Sequence, residues 1–134
     1  MIRRVLLIGR WTVDFLFAKK KYDIEGVLSV LRNAYASGIV LEDAEDLMLS
    51  CKYNCGFTYT NPRRKLAVIL IGPTTSGAEF IDTLTHEIHH LAVGIASSLG
   101  IDLEKEAPAY IAGDAARELA DVICKLGCDN NSDI

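Results

Sequence analysis

The 134-residue sequence lacks an apolar run long enough to cross a membrane. A transmembrane helix needs roughly 18 uninterrupted apolar residues, whereas the longest candidate run, residues 66–72, ends at Pro73. A surplus of positive charge is also missing, because 14 basic and 18 acidic residues give a formal net charge of −4. These absences argue against membrane insertion and against an electrostatic footprint for DNA or anionic lipid. We therefore expect neither a membrane nor a nucleic acid as a partner.

A secretory signal is missing as well. The apolar run near the N-terminus is interrupted by Arg10 and then by Asp14, so it is too short for the hydrophobic region of a signal peptide. We expect the protein to be cytoplasmic.

Cysteine is scarce, and its four residues form two pairs with four-residue spacing: Cys51 with Cys55, and Cys124 with Cys128. In a reducing compartment such residues are expected to be reduced, small and buried. A zinc knot made by all four is the weaker interpretation, because structural zinc sites prefer the tighter C-x2-C spacing. A disulfide is expected only if the chain is exported.

The length and the 50% hydrophobic content predict one packed domain over residues 1–134. Alternating and helical periodicities predict an α+β chain with three to four strands. The first half is predicted to contain a strand or hairpin over residues 3–17, a helix from Asp23 ended by Gly38, and a short helix over 42–50. Strands over 53–60 and Leu66–Ile71 follow. The second half is predicted to contain a helix from Ser76 to Gly100, a last helix over 104–126 that stops at Gly127, and a frayed tail over 129–134.

The helix that begins at Ser76 has the clearest signals in the chain. Ser76 and Glu79 have the spacing of a capping box. Six apolar residues with helical spacing then form one stripe: Phe80, Ile81, Leu84, Ile88, Leu91 and Ile95. All three histidines of the protein, at positions 86, 89 and 90, lie on this predicted helix.

His86, Glu87 and His90 match the pattern H-E-x-x-H. Four residues are slightly more than one helical turn, so His86 and His90 project from one face and can reach a single zinc ion. Glu87 is the residue beside them that can accept a proton from a water whose pKa the zinc lowers towards about 7. His89 lies one position off this face and is expected to be a flanking surface residue or a neighbour of the ligands.

A catalytic zinc site usually has three protein ligands and one open position. Because no histidine occurs elsewhere in the chain, the third ligand is expected to be a carboxylate, or less favourably a cysteine. The spacing leaves four carboxylates open: Asp102, Glu104, Glu106 and Asp114. A simple helical hairpin about Gly100 favours Asp114, whereas an extended loop after it favours Glu104 or Glu106.

The motif His86-Glu87-x-x-His90, followed by Glu106-Ala-Pro-Ala-Tyr110, resembles the gluzincin type of zinc metallopeptidase. It is most similar to the minimal gluzincin domains and small metallopeptidases of bacterial and phage genomes. The resemblance implies a zincin-like fold, in which a small antiparallel or mixed sheet packs on the active helix and a C-terminal helix follows. It also implies Glu106 as the third ligand, with Glu104 behind it, and Tyr110 as a hydrogen-bond donor to a developing oxyanion.

Two flanking segments extend the resemblance. The strand Gly-Arg-Trp-Thr-Val-Asp-Phe at residues 9–15 and the segment Thr-Leu-Thr-His at residues 83–86 stand where the family has similar sequences. The chain has no room for the second lobe that walls the cleft of larger gluzincin peptidases.

These observations predict a hydrolase of peptide bonds that uses one Zn²⁺ ion and acts on a peptide or protein substrate. Its expected ligands are His86, His90 and Glu106, with Glu87 as general base. The alternative is a non-catalytic, zinc-stabilised domain that binds a partner or regulates one. A third possibility is a metal-free domain in which the motif is coincidental.

Overall fold

The computed structural model describes residues 1–100 and 107–132. This part of the chain is mixed α+β, as the sequence predicts, and contains a four-stranded mixed sheet and five helices. In chain order the elements are β1 (Ile2–Ile8), β2 (Trp11–Phe17), α1 (Ile24–Asn33), α2 (Gly38–Ser50), β3 (Gly56–Asn61), β4 (Leu66–Ile71), α3 (Gly77–Ser98), α4 (Ala107–Glu118) and α5 (Ala120–Ser132). None of the described helices is long and apolar enough to span a membrane.

The sheet has the strand order β1-β2-β4-β3. The β1–β2 and β3–β4 pairs are antiparallel, whereas β2 and β4 are parallel. The predicted hairpin over residues 3–17 is confirmed, and its two-residue turn at Gly9 and Arg10 uses a positive φ of 61° at Gly9, which hairpin turns of this length require. In this order β3 is an edge strand, and β4 is paired on both sides.

Helices cover both faces of the sheet. Alternate residues of β2 and β4 point to opposite faces, so each strand contributes to two separate cores. On one face Trp11, Val13, Phe15 and Phe17 pack with buried residues of α3, α4 and α5. On the other face Leu16, Val68 and Leu70 pack with α1 and α2. Because β4 is buried on both faces, its sequence is a continuous aliphatic run rather than an alternating one.

The first two helices differ from the prediction at their boundary. Asp23 caps α1 as expected, accepting a hydrogen bond from the Gly26 amide at 3.0 Å. The helix ends at Asn33 instead of running to Gly38, because Tyr35 takes a left-handed conformation with φ of 64°. Gly38 is the first residue of α2, and Ser37 is its N-cap, so the helix predicted over 42–50 begins one turn earlier.

Helix α3 follows the prediction closely. The Ser76 hydroxyl accepts a hydrogen bond from the Glu79 amide at 3.1 Å, which satisfies one unpaired donor of the first turn. The helix ends just before Gly100, whose φ of 68° favours glycine at this position. Its apolar stripe is buried against the sheet, except for Ile81, which is 41% exposed.

The helix predicted over 104–126 is divided at Leu119 into α4 and α5. Hydrogen bonds from Leu119 to Ala115 and from Ile123 to Leu119 continue across the division, and no glycine or proline marks it. The last helix does not stop at Gly127 as predicted. Instead, α5 extends to Ser132 and so includes part of the predicted tail. The predicted start, at residues 104–106, lies outside the described residues, as do residues 101–103 and 133–134.

An ion pair joins α5 to β1, the edge strand at the other end of the sheet from β3. The Arg4 guanidinium lies 3.0 Å from the Asp121 carboxylate. The hydrogen bond from Arg4 lowers the pKa of Asp121 below its ordinary value. Both groups are exposed, so the pair contributes little to stability.

The cysteines differ from the expectation of reduced, buried residues. Cys51 and Cys55 form a disulfide whose Cα atoms are 6.4 Å apart, because the turn after α2 brings the two residues together. Cys124 is free and exposed, and the side chain of Cys128 lies outside the described part of the structure. β3 begins at Gly56, directly after the segment 51–55 that the disulfide closes, rather than at residue 53.

The capping contacts predict different costs for two serine substitutions. Ser76→Ala should lower the free energy of unfolding by about 1 kcal/mol, because it removes a well-placed N-cap acceptor. Ser37→Ala should cost less, because its hydroxyl lies 3.4 Å from the Val40 amide, beyond the usual hydrogen-bond range. Urea denaturation of both variants checks the order, and a larger cost for Ser37→Ala would contradict it.

Candidate metal centre

Two histidines converge on the exposed side of α3. His86 and His90 are four residues apart on the helix, and their Nε2 atoms are 3.0 Å apart. The ring centroids are separated by 4.6 Å and the planes are nearly perpendicular. Without a metal, one ring must carry its proton on Nε2 to donate to the other. With both protons on Nδ1, the two Nε2 lone pairs can bind one ion.

Glu87 lies between these histidines and the sheet. It is only 6% exposed. Its Oε1 atom accepts a hydrogen bond of 2.9 Å from the Thr58 hydroxyl of β3. Its Oε2 atom lies 3.9 Å from His86 Nε2. The carboxylate is therefore bound on one side by the sheet and faces the histidines on the other.

Gly56 of β3 leaves the space that Glu87 occupies. A Cβ atom built on Gly56 would lie 2.5 Å from Glu87 Cγ and 2.9 Å from its Cδ. Real Cβ atoms essentially never approach so closely. The backbone of β3 thus packs directly on the side chain of Glu87.

An open cavity of about 300 Å³ lies beside these residues. It is lined by Asp82, Thr83, His86 and Glu87 of α3 and, across from them, by Leu47, Asn54, Cys55 and Gly56. The disulfide segment 51–55 therefore forms one wall of the site.

The segment 51–55 is fixed by contacts outside the site. The Asn54 amide donates to the Pro73 carbonyl at 2.8 Å, and its side-chain carbonyl accepts from the Thr75 amide at 3.0 Å. The Tyr22 hydroxyl donates to the Cys51 carbonyl at 2.9 Å. Burial raises the pKa of Tyr22, so this hydroxyl keeps its proton over the physiological range. The wall of the cavity is thus tied to the core on both sides.

His86, Glu87 and His90 form the group in the described residues that could hold a metal ion, with ligand atoms all within 4.8 Å of one another. Two nitrogens that each lie about 2.0–2.1 Å from a tetrahedral zinc ion are roughly 3.3 Å apart. The observed Nε2–Nε2 distance of 3.0 Å differs from this by only a few tenths of an ångström. Two imidazoles and a carboxylate are also ligand types that zinc accepts. The donor set therefore fits a metal ion of this class.

The structure does not bring Asp114 into this group. Its carboxylate pairs with Arg117 of the same helix at 3.0 Å, and its side chain is 55% exposed. The other carboxylates considered as the third ligand, Asp102, Glu104 and Glu106, lie outside the described residues.

His89 and Tyr110 are not members of this group. His89 lines a different groove, between α3 and α4, together with Thr85 and Pro108. Tyr110 is 68% exposed on α4 and is not among the residues that line the cavity beside His86 and Glu87. The role predicted for Tyr110 at an oxyanion stays a prediction.

Sequence reasoning missed Thr58 and Gly56. Both come from a strand about thirty positions before the motif, so no local spacing connects them to Glu87. One signal was available: small residues at positions 56, 58 and 60 alternate with the aromatic residues Phe57 and Tyr59. Such an alternation indicates a strand with one face that a helix can approach closely.

Comparisons with protein-family models, with curated proteins and with solved structures find no match for this chain.

The contact between Gly56 and Glu87 predicts a cost for Gly56→Ala. The new methyl group has to displace the Glu87 side chain, so we expect a loss of about 1–3 kcal/mol in the free energy of unfolding. We expect a smaller cost for the matched control Gly94→Ala. Its methyl group meets Thr60 Cγ2 at 3.1 Å, and the alanine gains about 1 kcal/mol of helix propensity.

Chemical denaturation of both variants measures the difference. A Gly56→Ala variant as stable as the wild type would show that β3 does not confine Glu87.

Proposed function

We propose that this protein is a zinc-dependent hydrolase of peptide bonds, with the ion held by His86, His90 and a third carboxylate, Glu106. One observation carries the proposal. Two histidine Nε2 atoms converge to 3.0 Å beside a nearly buried carboxylate whose free oxygen faces them. A solvated helix face with coincidental histidines gives no reason to bury the acidic residue between them.

The position of Glu87 supports its proposed role as general base. Its Oε2 atom is 3.9 Å from His86 Nε2, close enough to reach a water in the same site and far enough to leave room for one. A bound zinc ion would polarise the scissile carbonyl and acidify the attacking water. Glu87 would take the proton of that water on Oε2 and later give it to the leaving amine.

Glu106 is the third ligand that the resemblance of the segment Glu106-Ala-Pro-Ala-Tyr110 to the gluzincin type implies. Asp114, which is not in the histidine group and pairs with Arg117, is the weaker candidate. Tyr110 follows on the same helix as a candidate hydrogen-bond donor to the developing oxyanion.

An extended peptide is the substrate that the sheet suits best. β3 is an edge strand, and it carries Thr58, which contacts Glu87 directly. A peptide that pairs with this edge would lie alongside α3. β4 cannot take this role, because it lies between β2 and β3.

A non-catalytic zinc domain is the second candidate. The observation that favours it is the compactness of the group: Glu87, like the histidines, offers a ligand atom within 4.8 Å of the others. If Glu87 binds the ion directly, the site can be closed by four protein ligands, as structural zinc sites are.

The proposed ligands predict which substitutions remove zinc. His86→Ala and His90→Ala should each lose the stoichiometric ion, because a single remaining imidazole holds zinc weakly. His89→Ala should retain it, since His89 lies outside the group. Glu106→Gln should weaken binding, whereas Asp114→Asn should leave it unchanged.

Metal content after dialysis against zinc, with competition by a chelator for affinity, measures these effects. A wild-type protein that binds far less than one equivalent would exclude both zinc-dependent functions. Full binding by the Glu106→Gln variant would exclude only that residue as the third ligand.

The proposed base predicts a separation of metal binding from turnover. Glu87→Gln should retain zinc and lose roughly 10²–10⁴-fold in cleavage rate, because the amide cannot accept the proton. Glu79→Gln is the matched control, as it changes another acidic residue of α3 away from the histidines.

Both variants are incubated with a mixed peptide library, and cleavage is followed by mass spectrometry. Unchanged cleavage by the Glu87→Gln variant would exclude Glu87 as the base. A zinc-loaded wild type that cleaves nothing would favour the non-catalytic domain.

A further inference from the structure

Thr58 has two acceptors within reach, and their distances differ. Its hydroxyl lies 2.9 Å from Glu87 Oε1 but 3.4 Å from the backbone carbonyl of Glu87. A hydroxyl has one proton to donate, and the carboxylate is both the nearer and the charged acceptor. The hydrogen bond therefore goes to Oε1 and is of the stronger, charge-assisted kind.

The stem of the Glu87 side chain has little freedom to move towards the sheet. The backbone of Gly56 packs against Cγ and Cδ, and the side chain is 7% exposed. The remaining freedom is the orientation of the carboxylate. Thr58 fixes that orientation by binding one of the two oxygens.

The two oxygens of Glu87 therefore have different surroundings. Oε1 is bound by Thr58, and Oε2 faces His86 Nε2 at 3.9 Å. A carboxylate in this position can serve either as a base near the ion or as a ligand to it, because zinc accepts carboxylate oxygen. The ligand atoms of the group lie within 4.8 Å of one another. A modest rotation of the Glu87 carboxylate would therefore change it from a base beside the ion to a ligand of the ion.

We propose that Thr58 is a positioning residue that keeps Glu87 a base and prevents it from becoming a metal ligand. The inference rests on the proposed function, since it assumes that His86 and His90 hold the ion. Thr58 acts through Glu87, to which its hydroxyl donates. Loss of its hydroxyl leaves Oε1 buried without a donor, and coordination to the cation is then the available compensation for the carboxylate.

Thr58→Val tests this directly, because it removes the hydroxyl and keeps the shape of the side chain. The probe is Co²⁺ bound in place of zinc, whose visible absorption spectrum reports the number and type of its ligands. We expect a changed spectrum in the Thr58→Val protein, with an affinity for Co²⁺ at least equal to that of the wild type. Thr58→Ala is the second variant and should give the same change.

Three controls separate this role from a merely structural one. Thr58→Ser should keep the wild-type spectrum, because it restores the hydroxyl. Thr60→Val should also keep it, since Thr60 faces α3 at Gly94, one turn beyond His90, and does not contact Glu87 in the described hydrogen bonds. In a Glu87→Gln background, Thr58→Val should change the spectrum no further, because the two residues act as one unit.

Peptide cleavage gives an additional readout. Thr58→Val should lower the rate by about 10–100-fold, the usual cost of losing a partner next to a metal site, and Thr58→Ser should restore most of it. An unchanged Co²⁺ spectrum in the Thr58→Val protein, or a weakened affinity, would overturn the inference. So would an equal spectral change in the Glu87→Gln background.

Failure of the proposed function is distinguishable from failure of this inference. A wild-type protein that binds no Co²⁺ overturns both. Normal Co²⁺ binding with no response to Thr58→Val overturns only the role of Thr58.

Discussion

The close contact between α3 and β3 around Glu87 is the constraint on which the site depends. A carboxylate that is only 6% exposed is costly unless it is hydrogen-bonded or paired. Here the cost is offset by the Thr58 hydroxyl at 2.9 Å. That bond can form only because β3 approaches the helix closely, and the approach is possible because Gly56 has no side chain.

The alternation along β3 explains how one strand serves two layers. Phe57 and Tyr59 point towards α1 and α2, where they join the second core, and the Tyr59 hydroxyl donates to the Ala34 carbonyl at 3.3 Å. The small residues at positions 56, 58 and 60 face α3 on the other side. The large residues therefore anchor the strand against α1 and α2, and the small residues allow α3 to pack closely on the other face of the strand.

Much of the fold follows from periodicity. The aliphatic run of β4, the hairpin before Phe17 and the capped start of α3 each have a local cause, so the sequence predicts them. The division at Leu119 and the early start of α2 have weaker local signals. The parallel pairing of β2 with β4 depends on contacts between strands about fifty residues apart, which no local pattern specifies.

The candidate site likewise has one part that the sequence predicts and one part that it does not. His86 and His90 converge because of helical geometry alone, so their i, i+4 spacing is sufficient to predict it. The surroundings of Glu87 depend on tertiary structure, because Thr58 and Gly56 come from a different element. The Cys51–Cys55 disulfide is a further example. The segment that it closes forms one wall of the cavity, and that segment follows directly on the end of α2 at Ser50.

The two sides of α3 near the motif have opposite properties, and this asymmetry agrees with the proposed hydrolytic site. The sheet side is packed: Gly56 of β3 lies against the Glu87 stem, and the Glu87 side chain is 7% exposed. The other side is open, with the His86 side chain 68% exposed. An ion bound there would have its protein ligands behind it and solvent in front. Under the proposed function, a base held by the sheet and an ion open to solvent would act together on a peptide that pairs with the edge strand β3.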